Sequence, residues 1–322
     1  MVTRRLFLFG TATGVAAFAT RRSMTAAASQ PATRVGFDIP AGACDCHTHI
    51  FGDPARFPFW SGRTYTPEPA SIAEMRSLHR ALHMDRVVIV HPSVYGTDNA
   101  CTLDAIRQLG SRARGVAVVD EQTPASALDS MHKAGIRGIR LNLETFGQAD
   151  PAAARTRLRS AIQQLGARPW HIQLFTRLSI VDALHDDFMS APLPIVFDHF
   201  GGAQAALGVG QPGFAKLVDL VRSGRAYVKI SAAYRSSTRA PDYGDVTPLV
   251  QALITANPQR VIWGTDWPHP TGSTPAGRSA TDVSPLLQID DGRVLNQLPV
   301  WVPDPATRRT ILVENPARLY GF

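Results

Sequence analysis

Along this chain, short and nearly unbroken apolar runs alternate with amphipathic stretches. The apolar runs occupy residues 43–50 (ACDCHTHI), 86–93 (RVVIVHPS), 115–120 (GVAVVD), 135–143 (GIRGIRLNL), 170–176 (WHIQLFT), 193–201 (LPIVFDHFG), 226–232 (AYVKISA) and 260–267 (RVIWGTDW). Between them lie segments of helical periodicity, among them Ile72 to Leu82, Ala125 to Lys133, Ala153 to Leu165 and Phe214 to Val221. A strand covered on one face alternates apolar and polar residues, whereas a strand covered on both does not. Continuous runs joined by helices therefore predict a parallel sheet with helices outside. Eight runs predict a single closed (β/α)8 barrel over residues 40–322, with its active site at the C-terminal rim of the strands. No G-x-G-x-x-G follows the first run, which weighs against an open dinucleotide-binding sheet. The two longest connections, residues 51–70 and 268–300, both leave that rim.

Composition narrows the chemistry. The chain has 322 residues, 44% hydrophobic and 18% charged, as ordinary globular domains do. Its 33 Lys and Arg exceed 26 Asp and Glu, but the excess is scattered, with no basic run beyond pairs such as Arg308-Arg309. That pattern argues against nucleic-acid binding and suits a small anionic substrate. Cys44, Cys46 and Cys101 form no metal-ribbon or disulfide framework. Cys44 and Cys46 are expected to be core thiols on the face opposite the neighbouring histidines.

Residues 1–30 stand apart. Thr3-Arg4-Arg5 opens an apolar stretch to about Ala19, and Ala26-Ala27-Ala28 offers a small-residue cleavage site. The stretch looks like a twin-arginine export signal, with a flexible tail as the other reading. It is too short to span a bilayer. The mature protein is thus expected in the periplasm, without a membrane anchor, and in the cytoplasm if the segment is only a tail.

Closing a barrel brings strand ends together at one rim. His47 and His49 end the first run, and in an extended strand alternate residues share a face. His91 and Ser93 end the second, Arg140 and Asn142 the fourth, Asp198 and His199 the sixth. Arg235 follows the seventh and Asp266 ends the eighth. His47, His49, His199 and Asp266 form the candidate reactive group. Asp198 is expected to point away from His199, behind the site. His79, His83, His132, His171 and His185 are read as structural, and His171 lies at the start of its run, the wrong end of a barrel.

The motifs DCHTHIFG, HPSVYGTDN, GIRGIRLNL, PIVFDHFGG and VIWGTDWPHP resemble the amidohydrolase superfamily. They are most similar to the branch containing 2-pyrone-4,6-dicarboxylate lactonase and 4-sulfomuconolactone hydrolase. The resemblance runs from about residue 40 to the NPARLY of residues 315–320. It implies a hydrolase opening an anionic lactone from aromatic-acid degradation. Asp266 would activate water, and His47, His49 and His199 would polarise the lactone carbonyl. Arg140 and Arg235 would clamp acid groups, and Tyr65 and Ser93 match loop positions that contact substrate.

Metal-dependent members of the superfamily carry a strand-five histidine, and two-metal members a strand-four lysine. This chain has Gln173-Leu174-Phe175-Thr176 and Arg140 there. His47, His49 and Asp266 could still hold a single zinc. The missing ligand, and the lactonase branch itself, favour no cofactor. Phe146 and Phe175 match positions where the pyrone enzyme has an arginine and a tyrosine. A lost carboxylate partner turns the expectation toward 4-sulfomuconolactone, opened to maleylacetate and sulfite. The other readings are a pyrone-dicarboxylate or sugar-acid lactonase, a metal-dependent amidohydrolase or decarboxylase, and a non-catalytic organic-acid binding protein.

Overall fold

The structure is a computed structural model that describes residues 28–144, 150–274 and 276–322. The export segment, apart from its last residues, and Phe146 lie outside the described residues. No helix among the described residues is long and apolar enough to cross a membrane.

Eight parallel strands form one sheet in sequence order: β1 (Cys44–Thr48), β2 (Arg86–Val90), β3 (Ala113–Ala117), β4 (Ile136–Asn142), β5 (His171–Phe175), β6 (Ile195–Phe197), β7 (Ala226–Ser231) and β8 (Val261–Gly264). The ring closes just past β8. Thr48 bridges Trp267 in parallel, the Asp266 amide donates to the His47 carbonyl (2.8 Å), and the His49 amide donates to the Trp267 carbonyl (2.7 Å). The fold is a (β/α)8 barrel.

Local chemistry sets the element ends. Helix Ile72–Leu82 starts at a reciprocal Ser71–Glu74 capping box and buries Met75, Leu78, His79 and Leu82, one stripe at helical spacing. Helix Pro151–Leu165 begins two residues before the periodic segment. Asp150 caps it by accepting from the Ala153 amide, and proline suits its first turn. The third strand is shifted toward the N-terminus of its apolar run. Beyond Ala117 the Asn99 side chain takes over the backbone, accepting from the Val118 amide (3.1 Å) and donating to the Val118 carbonyl (2.7 Å).

Two expectations about facing are overturned by the same device, a break in alternation. The β1–β2 register shifts between Asp45 and Thr48, so β1 carries a bulge. Cys44 and Cys46 pack with Val88, Val90, Val116, Val196, Tyr227, Ile262 and Tyr320. Side chains from β1, β2, β3, β6, β7 and β8 can meet only inside the ring. The thiols therefore line the lower barrel interior, below the histidines and not on the far face. Asp198 lies behind the site as expected, but its facing is corrected likewise. After β6 ends at Phe197, the chain turns sharply, with His199 and Phe200 at φ 44° and 57°. Strand alternation no longer applies, and Asp198 and His199 both reach the barrel centre.

The two long loops tie to each other over the rim. Thr66–Pro67 pairs in parallel with Val283–Ser284, and the Leu286 amide donates to Glu68 (3.1 Å).

Candidate active site

Asp266 sits at the centre, fully buried, in a left-handed backbone conformation (φ 68°) held by its amide bond to the His47 carbonyl. Its Oδ1 lies 3.4 Å from His47 Nε2, 3.3 Å from His49 Nε2 and 3.7 Å from His199 Nε2. Its Oδ2 accepts from the Tyr234 hydroxyl (2.5 Å) and from Arg235 Nε (2.8 Å). Burial alone would raise this carboxyl's pKa. The Arg235 charge above all outweighs burial and holds the pKa well below the usual carboxylate range.

The histidines differ in what stands behind them. His49 Nδ1 donates to the Val90 carbonyl (2.7 Å), as a carbonyl has no proton to give. Its Nε2 is then an acceptor when the ring is neutral. His47 Nδ1 meets the Lys229 ammonium at 3.2 Å. Asp198 Oδ1 lies 3.2 Å from the same nitrogen; an ammonium cannot accept, so wherever Lys229 donates into the Nδ1 lone pair the His47 proton resides on Nε2. His199 Nδ1 pairs with Ser231 Oγ (2.9 Å), and burial pushes the His199 pKa down to about 4, so this ring is neutral.

Below His47 lies a buried polar layer. Lys229 Nζ donates to Gln173 Oε1 (2.8 Å) and lies 3.3 Å from Asp198 Oδ1. Asp198 Oδ2 accepts from Gln173 Nε2 (3.1 Å) and Arg140 Nε (3.3 Å). Burial lowers the Lys229 pKa and Asp198 opposes it, while contact with His47 and the charges of Lys229 and Arg140 hold Asp198 well below its ordinary value despite burial.

Of the substrate-contact candidates, Tyr65, Ser93, Arg140 and Arg235 line one small cavity of about 30 Å³ together with His49, His199, Asp266, Asn142 and Phe175. Burial raises the Tyr65 hydroxyl to about 12, against the pull of Arg235, Arg140 and a Ser93 hydrogen bond. The Arg140 and Arg235 guanidinium carbons stand 5.1 and 5.9 Å from the Phe175 ring centre. His47 is buried beneath this cavity, and His91 lies outside it, bonded to Thr102 Oγ1 (3.1 Å) and the Gly96 carbonyl (3.0 Å).

The remaining histidines hold structure. His79 pairs with Asp45, His83 ends a helix in the left-handed region, His132 accepts from Trp170 and His185 bridges Asp186 and Asp219. His171 packs edge-on against Tyr320 at the far end of the barrel.

Lys229, Gln173, Ser231 and Tyr234 are the site residues that the sequence reading missed. Lys229 and Gln173 did carry a signal: each is a polar residue inside a run that must be buried on both faces.

Among the described residues, two sets of ligand atoms lie close enough to share one ion: His47, His49 and Asp266, and His47, Asp198 and His199. His47 Nε2 and Asp266 Oδ1 are buried without a hydrogen-bond partner. This donor chemistry fits a single zinc. Against it, Lys229, Arg140 and Arg235 already supply three cations to the two carboxylates Asp198 and Asp266.

Comparison with known proteins places this site in a family. A 4-sulfomuconolactone hydrolase from Hydrogenophaga intermedia is 34% identical over 288 residues, covering 88% of this chain and 90% of that one. A 2-pyrone-4,6-dicarboxylate hydrolase from Comamonas testosteroni is 33% identical over 294 residues, covering 88% and 92%. A crystal structure from Acinetobacter baumannii with citric acid bound matches with TM-score 0.70 at 25% identity, covering 87% and 100%. A family model described as amidohydrolase matches residues 44–322, the whole barrel from β1 onward, and the chain belongs to that amidohydrolase family.

Proposed function

We propose that this protein is a lactonase, a carboxylic ester hydrolase that opens a small anionic lactone with water. The observation that carries the reading is Asp266, kept ionised by Arg235, with one oxygen facing three imidazoles in a cavity lined by two arginines.

The cavity of about 30 Å³ is the size of one water, and Asp266 Oδ1 and His49 Nε2 are two acceptors 3.3 Å apart on its wall. A water held between them would give one proton to Oδ1 as its oxygen attacks the lactone carbonyl carbon. The His47 Nε2–H would donate to the carbonyl oxygen as charge develops on it. The ring C–O bond then breaks, and the proton passes to the leaving alkoxide. Arg140 would hold the acid group of the substrate. Arg235 Nε is committed to Asp266, so beside any acid group its first task is to keep the base charged.

The relatives named 4-sulfomuconolactone hydrolase support a sulfonated substrate for this chain. Phe175, a ring without a hydroxyl between the two arginines, supports a site with fewer acid contacts than a dicarboxylate needs. In that reaction the ring-opened product carries hydroxyl and sulfonate on one carbon. Loss of sulfite from it forms the ketone of maleylacetate.

The charge balance favours operation without a metal, because zinc would add to a buried layer already rich in cations. Were zinc held by His47, His49 and Asp266, it would supply a bound hydroxide as nucleophile.

Asp266→Asn tests the base. The variant should fold and bind substrate while losing nearly all turnover in a spectrophotometric screen of muconolactones, the sulfonated one included. An active Asp266→Asn enzyme ends the assignment.

A further inference from the structure

The reactive cavity cannot contain a substrate by itself. At about 30 Å³ it is far below the roughly 150 Å³ that accommodates benzene in an engineered protein cavity. The bulk of any ligand must lie beside it, and two larger spaces adjoin. One, of about 650 Å³, shares Phe175, His199 and Arg235 with the centre and carries Arg177. The other, of about 740 Å³, shares Ser93, Arg140 and Asn142 with the centre.

The walls of the 740 Å³ space are unlike those of an anion site. One side is aromatic: Phe59, Trp60 and Tyr95. It is a built surface, with Phe59 and Tyr95 ring centres 5.3 Å apart, the Gly52 amide donating to the Tyr95 hydroxyl (3.0 Å), and the Trp60 amide donating to the Val94 carbonyl (2.8 Å). The other side is aliphatic, with Val119, Leu141 and Ala161. The outer rim carries Asp98, Asp120 and Glu121, all exposed, with Arg157 as the rim's cation. Three carboxylates at that rim disfavour an anionic group there. At the inner end, away from these carboxylates, Arg140 suits an acid.

We propose that this chamber is a subsite for a neutral aromatic or branched aliphatic substituent, so that the protein accepts lactone acids extended by such a group and not the compact sulfonated ring alone. The acid is anchored at Arg140 while the substituent lies between the Phe59–Tyr95 wall and the Leu141–Ala161 wall. The inference rests on the acid-clamp reading of Arg140, and its test needs no turnover.

Calorimetric titration of the full-length protein with butanoate and with 4-phenylbutanoate compares an acid with and without the extension. The phenyl acid should bind at least tenfold more tightly. Ser160→Trp and Gln164→Trp, at half-buried positions on the chamber wall, fill the space from helix Pro151–Leu165. In either folded variant the phenyl advantage should fall to within twofold, with butanoate binding unchanged. Equal affinity of the two acids for the unaltered protein, failure to detect either included, overturns the proposal. So does a phenyl advantage that survives in both variants. If the advantage behaves as expected while no lactone is hydrolysed, the lactonase reading falls and the subsite stands.

Discussion

Replacing Lys229 by methionine should cripple chemistry while sparing the barrel. Methionine matches the lysine stem in length and is tolerated in apolar surroundings, and Lys229 is fully buried inside the ring. What disappears is the donor to His47 Nδ1, 3.2 Å away. Asp198 Oδ1 lies 3.2 Å from that nitrogen and 3.3 Å from the ammonium, which is its cation in the native arrangement. With the ammonium gone, the imidazole proton is drawn to Nδ1 to satisfy Asp198. His47 Nε2 then becomes an acceptor, 3.4 Å from the Asp266 carboxylate, and can no longer donate to a developing oxyanion. Loss of one such donor costs about 10²–10³ in kcat, or roughly 3–4 kcal/mol.

The structural penalty should be smaller. Asp198 keeps Arg140 and Gln173, so the loss falls below the roughly 3–5 kcal/mol of stranding a buried charge outright. The assay is steady-state turnover of the lactone with kcat and KM separated, beside ¹⁵N NMR of histidine-labelled protein to read which ring nitrogen carries the proton. KM should move by no more than a few-fold, because Lys229 lines none of the substrate-sized cavities. Lys229→Gln, which retains a donor, should recover part of kcat. A Lys229→Met enzyme with native kcat, or a native His47 already protonated on Nδ1, refutes the reasoning.

Three further outcomes follow from the same geometry. Tyr234→Phe removes one of two donors to Asp266 Oδ2, so the Asp266 pKa should rise and the acid limb of the pH–rate profile should move to higher pH, read directly from kcat/KM against pH. His91, His171 and His199 are buried neutral, with pKa values pushed down to about 4, 3 and 4. Their unfolded value is about 6.5, so the unfolded chain binds protons first, and stability should fall as pH drops from about 6.5 toward 4, by at most about 3 kcal/mol per histidine at 1.36 kcal/mol per pKa unit. Thermal midpoints across that range should show the slope, and His171→Leu, far from the reactive rim, should flatten it. Purified enzyme dialysed against a chelator should keep its turnover and contain well under one zinc per chain by elemental analysis; proportional loss and zinc-dependent recovery would reverse the metal-free reading.

How much of this was readable in the chain depends on which rule each residue obeys. The eight strands were visible because a strand covered on both faces cannot hide its apolar run, and the rim residues followed from strand ends alone. Arg140 and Ser93 reach one cavity for that reason, whereas Tyr65, inside the long loop after β1, was expected there only from the family resemblance. The failures come where one residue breaks the alternation. The bulge between Asp45 and Thr48 turns Cys46 and His47 inward together, and the left-handed turn at His199 and Phe200 brings Asp198 to the centre. No period in the sequence announces either.

The deeper omission concerns protons. The His-x-His motif presents two equivalent imidazoles, yet the structure sets a carbonyl behind His49 and an ammonium paired with a carboxylate behind His47. The first makes Nε2 an acceptor, and the ammonium, by donating to Nδ1, would make the other Nε2 a donor. An ester hydrolase working without a metal requires that asymmetry, since one imidazole must help hold water while the other meets the oxyanion. A zinc site asks the reverse, with both Nε2 lone pairs free and both Nδ1 protons donated outward. The identity of the residue at position 229, some 180 positions from the motif, therefore bears on the chemistry as directly as the histidines do.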